Sequence, residues 1–154
     1  MKNFAKNFGI SLLGYFIISL LAIIIGQPIH PDTYLAIYWR FFGFNMTTIL
    51  IILHMIIIAA LYFFLGTKLN LLSKHWLNYL SVCGGLVIAI IFLLHPYLGM
   101  IFNASFAWLL YLGRGNTWFY RMSIVIAFLP SIFTWLGMLY HSRKLKKKQS
   151  ETTD

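Results

Sequence analysis

The sequence predicts an all-α integral membrane protein, a bundle of four transmembrane helices with a short interfacial or re-entrant helix between spans three and four. Three observations predict it. The 154 residues are 60% hydrophobic and only 10% charged, with a mean hydropathy of +0.81, whereas soluble domains carry about 25% charged residues. A chain this short has too little interior to hide so much apolar side chain from water. Four stretches approach the ~20 apolar residues that cross a hydrocarbon core of ~30 Å, and the charges gather between them.

The first expected span is 8–26. Its apolar core is longer than the ~7–15 residues of a signal peptide and no A-x-A-like cleavage site follows, so an uncleaved anchor is expected. The second span is 41–65, opened by the aromatic group Tyr38, Trp39, Phe41 and Phe42. The third is 77–94, beginning beside Trp76 and Tyr79, and the fourth is 118–139, running from Trp118 and Tyr120 to Tyr140. Aromatic rings of this kind favour the two membrane–water borders.

The stretch 77–112 is almost continuously apolar over 36 residues. As one helix it would reach about 54 Å, too long for one crossing. Pro96 discourages helix at His95. Segment 98–112 is therefore expected to return to the outer face, with the turn at Gly113-Arg114-Gly115-Asn116. Residues 1–142 form one transmembrane domain in this reading, and 143–154 form a basic cytoplasmic tail whose last residues, from Gln149, are expected to be disordered.

The net charge of +9 comes from twelve Lys/Arg against three acids. With both termini cytoplasmic, nine cations lie inside, five of them in the run Arg143, Lys144, Lys146, Lys147, Lys148, and three lie outside: Arg40, Arg114 and Arg121. That is the positive-inside pattern, and it replaces the nucleic-acid reading such a balance would otherwise invite. The size and span count point to the cytoplasmic membrane of a bacterium.

Lipid tails are as apolar as leucine, so spans must be held by close packing and polar bonds. Ser81, Gly85 and Ala89 recur every four residues on span three, and Ser123, Ala127 and Ser131 do the same on span four. These ridges predict that the two spans pack together, with a homodimer interface as the functional counterpart. Pro130 removes one backbone bond from span four, and Ser131 and Thr134 are expected to satisfy the freed carbonyls.

No Asp or Glu occurs between Asp32 and Glu151, which excludes carboxylate-driven proton antiport and two-carboxylate catalysis in the spans. His54 and His95 fall about 18 and 5 Å deep by helical rise, too far apart in level to share a haem iron. His30, Asp32 and His95 lack recognisable metal-ligand spacing. The lone Cys83 beside Gly84 and Gly85 forms no intramolecular disulfide. No metal or cofactor is expected, and no catalytic residue.

Two candidate sites remain. Arg40, Arg114 and Arg121 at the outer rim carry guanidinium forks suited to lipid phosphate, with ordinary snorkelling to the headgroups as the alternative. His54 in mid-membrane and Asn45 nearer the outer end of the same span form a candidate intramembrane polar site, and such residues mark paths or interhelical bonds. The expected function is that of a non-catalytic accessory, regulatory or envelope-protective factor. It would act through the lipid bilayer, anionic lipids, and a membrane-protein partner or a homo-oligomer. An oligomeric transport or channel module and an outer-face phospho-lipid binder or enzyme are the competing classes.

Overall fold

The computed structural model describes residues 2–26, 45–83 and 123–151. Among them are four helices and no strand: α1 (Lys2–Gly26), α2 (Asn45–Thr67), α3 (His75–Val82) and α4 (Ser123–Glu151). By length and composition, Asn3–Gly26 of α1 and Ile49–Thr67 of α2 are able to cross a membrane. These two apolar helices suggest membrane insertion.

Each helix departs at its ends from the expected span. α1 begins six residues before position 8 and so takes in Lys6 and Asn7. α3 starts after Lys74, whose backbone is extended (φ −96°, ψ 120°), and ends where the Cys83 N–H donates to the carbonyls of Tyr79 and Leu80. It covers only the first part of the expected third span; the rest, with the expected re-entrant segment, lies outside the described residues. α4 runs to Glu151 through the whole basic run, so residues 149–151, expected to be disordered, are helical, while 152–154 lie outside the described residues. Extending an existing helix requires no new nucleus, and Lys, Arg, Leu and Gln are good helix formers. The Lys/Arg run also sits near the C-terminus, where the helix dipole favours cations.

The helices share one common end. Asn7 near the start of α1 is bonded to Asn70, just beyond α2, while Tyr15 stacks obliquely on Tyr62 with ring centroids 5.8 Å apart, so α1 and α2 run antiparallel. α2 and α4 run in the same direction. Leu129 and Phe133 pack on the cluster that holds Ile58 and Tyr62, and further along Met138 packs with Leu69. This pair makes the most extensive helix–helix contact in the described structure. The start of α1, the α2–α3 connection and the part of α4 around Met138 therefore lie together.

Gly66 and Gly137 explain how closely α2 and α4 approach. A methyl on Gly66 would run into the backbone carbonyl of Thr134, and one on Gly137 into that of Phe63. The methyl on Gly66 would also come within 3.0 Å of the Gly137 Cα. Each glycine thus lays its Cα–H against a carbonyl three residues upstream of the other glycine, the geometry of reciprocal Cα–H···O contacts.

The distribution of polarity is inverted relative to a water-soluble domain. Asn7, Ser11, Ser19, His54, Asn78, Ser81, Ser131 and Thr134 are buried, whereas Leu13, Ile24, Ile49, Ile56 and Phe64 are among the many large apolar residues exposed.

Candidate functional site

The buried polar side chains concentrate near the common end and act on backbone groups that the helices leave over. The connection Lys68–Lys74 has peptide groups with no helical partner of their own. Two asparagines answer them. Asn7 donates from Nδ2 to the Asn70 carbonyl (2.6 Å) and accepts on Oδ1 from the Asn70 N–H (3.2 Å). Asn78 treats Leu72 the same way, accepting from its N–H at 2.8 Å and donating to its carbonyl at 3.0 Å. One clasp comes from α1 and the other from α3, so the connection is held from both sides.

Four residues further along α1, a second junction joins three helices. The Val82 carbonyl at the C-terminus of α3 accepts from Ser11 of α1 (3.3 Å) and from Ser131 of α4 (3.1 Å). The last carbonyls of a helix have no partner within it. A carbonyl oxygen has two lone pairs, and here two neighbouring helices use them. Ser81, fully buried beside it, turns its hydroxyl back to the Asn78 carbonyl at 2.8 Å.

These bonds correct one expectation. Pro130 lacks an N–H, so the carbonyl it leaves without a helical donor is that of Ile126. Neither expected hydroxyl serves it: Ser131 reaches Val82, and Thr134 donates to the carbonyl of Pro130 itself at 2.8 Å. Four residues is the natural reach of a threonine hydroxyl back along its own helix, and Ile126 lies eight residues before Thr134.

Among the candidate residues, His54 is 2% exposed, on the buried face of α2 with Ile51, Ile58 and Tyr62. Asn45 is the first residue of α2. Ser81 and Ser131 meet around the end of α3 as described. Ser123 and Ala127 lie in the first turns of α4, while Gly85, Ala89, Arg40, Arg114 and Arg121 lie outside the described residues. No group of three or more His, Cys, Asp or Glu is gathered among the described residues. The chain matches no protein family, no curated protein and no solved structure. Its site is argued from its own geometry.

Sequence reasoning missed Asn7, Ser11, Asn78, Gly66 and Gly137. A signal for the first two is present: Asn7, Ser11, Tyr15 and Ser19 recur every four residues, one stripe of a helix. In an apolar segment such a stripe marks the packed face. Gly66 and Gly137 carry a fainter signal, since each is a single glycine in a helix, Gly66 beside the end of α2 and Gly137 in the middle of α4.

The chemistry of this region is that of amides and hydroxyls bonded to peptide groups. It fixes helices against one another. The other distinctive feature of the same end is outside: Lys6, Lys68, Lys74, Arg143 and Lys144 are all exposed there.

Proposed function

We propose that the chain is a small multi-pass protein of the cytoplasmic membrane, with four spans and both termini on the cytoplasmic side. It serves as a non-catalytic accessory, regulatory or envelope-protective factor, working through contacts with membrane proteins or lipids. One observation carries the reading: the asparagines, serines and threonine that the interior holds near the common end are engaged with backbone groups. What the molecule then offers to others is its surface, largely apolar along α1 and α2 and basic at one end. The common end of α1, the α2–α3 connection and α4 supports the proposed sidedness, because it collects cations from three separate segments.

Native mass spectrometry of the protein, extracted gently from its own membrane, tests the proposal. A stoichiometric second membrane protein, or a retained lipid, is the expected result. A homo-oligomer without partners, together with a solute flux abolished by His54→Leu at unchanged expression, would replace it with the transport class.

A further inference from the structure

The common end combines two surface features. Lys6, Lys68, Lys74, Arg143 and Lys144 are exposed, and they come from α1, the α2–α3 connection and α4. The sequence supplies no acid to α1, α2, their connection to α3, or α3 itself. Beside the cations stand three exposed amphipathic rings, Trp76 (57% exposed), Tyr79 (50%) and Tyr140 (55%). Two of them rest on neighbouring rings: Tyr79 lies 5.4 Å from Trp135 and Tyr140 lies 5.6 Å from Phe63, centroid to centroid. The Asn7–Asn70 clasp fixes Lys6, one residue before it, relative to Lys68, two residues before Asn70.

We infer that this end of the bundle is a docking surface for anionic phospholipid headgroups, with the five exposed cations meeting lipid phosphate above a belt of Trp76, Tyr79 and Tyr140. The inference rests on the membrane reading and assigns the surface on which anionic lipid would be held. Lipid is favoured over an acidic protein by the layering. Exposed Trp and Tyr beside apolar helix flanks suit the boundary between acyl chain and headgroup, and cations just beyond them sit at phosphate level. An acidic protein partner has no need of the long apolar flanks of α1 and α2 beside the rings.

The test uses the full chain, delipidated in neutral detergent and titrated with phosphatidylglycerol or phosphatidylcholine, with bound lipid read by native mass spectrometry. Phosphatidylglycerol is expected to be retained at least about tenfold more strongly, with the preference shrinking as salt rises. At about fivefold per cation near an anionic surface, the triple variant Lys68→Gln, Arg143→Gln, Lys144→Gln should lose about a hundredfold. None of these three side chains takes part in the clasps, and an unchanged thermal midpoint verifies the fold. Equal retention of both lipids overturns the inference. So does an equal loss in Arg114→Gln, Arg121→Gln, which would make total charge the cause, or competition by free glycerol phosphate as strong as by the lipid. Binding of an acidic peptide in place of lipid overturns it as well. Alkaline extraction of membranes separates the two levels: a chain released as a soluble protein refutes the membrane reading, whereas a retained chain without lipid preference refutes only this inference.

Discussion

An asparagine amide presents a donor and an acceptor side by side, and so can bond both polar groups of one peptide unit. Asn7 and Asn78 use that property on Asn70 and Leu72, and each supplies partners that these peptide groups lack outside a helix. Removing such a side chain returns part-buried peptide groups to water, at about 0.5–1.5 kcal/mol per bond lost. Asn7→Ala is therefore expected to loosen the Lys68–Lys74 connection before the rest of the molecule. Limited trypsin digestion checks this: cleavage after Lys68 and Lys74, both exposed, should accelerate in the variant while cleavage after Lys144 stays unchanged. The Val82 junction behaves differently because two donors share one acceptor. Ser11→Ala and Ser131→Ala should each cost about 0.6 kcal/mol, the average for interhelical bonds in membranes. The double variant should cost more than their sum, since only then does the carbonyl lose its last donor. Strict additivity in thermal unfolding would show that the hydroxyls act independently.

Helices that cannot gain from hydrophobic association need short interaxial distances, and only glycine lets two backbones touch. At the α2–α4 crossing, Gly66 and Gly137 meet carbonyls of the opposite helix with no room for a methyl. Gly137→Ala and Gly66→Ala must push the helices apart, and an overpacking cost of about 1–3 kcal/mol or more is expected. Gly9 supplies the internal control, because a Cβ there meets nothing within 4 Å. Gly9→Ala should be neutral or stabilise by up to about 1 kcal/mol through helix propensity alone. Detergent melting curves of the three variants distinguish a crossing-specific effect from a general intolerance of Gly→Ala. Ser81 and Ser131 stood out in sequence within four-residue spacings of small residues, whereas this crossing did not. A lone glycine, whether near a helix end like Gly66 or mid-helix like Gly137, does not say in sequence whether it touches a neighbour.

At the scale of the whole molecule, the gathering of the start of α1 and the end of α4 at one end makes a statement about sidedness. In a Cys83→Ser background, Lys6→Cys and Lys144→Cys should both react with an impermeant thiol reagent from the same side of the membrane. Labelling from opposite sides would contradict the shared end. Arg114→Cys extends the test to the four-span topology: labelling from the face opposite Lys6→Cys is expected. Labelling from the same face would leave α1 and α2 as the crossings and require a different course for the chain before α4.

Composition and periodicity determined that this protein is helical, that it carries apolar segments of membrane-crossing length, and where its cations and aromatic rings fall along the chain. These are local properties, set by which residues stand within a turn or a span of each other. Trp76, Tyr79 and Tyr140 at the ends of apolar segments, and His54 in the middle of one, were readable for that reason. The helix ends were less legible, since α4 continues through Lys146–Lys148 once begun, and propensity alone seldom decides where propagation stops. Only the tertiary structure decided which residues bond across the bundle. Asn7 and Asn70 are 63 positions apart, Ser11 and Val82 are 71 apart, and no periodicity within one helix encodes the register between two. That register is decided by which leftover carbonyls and amides find donors and acceptors when the helices close on one another, and where two glycines let them touch.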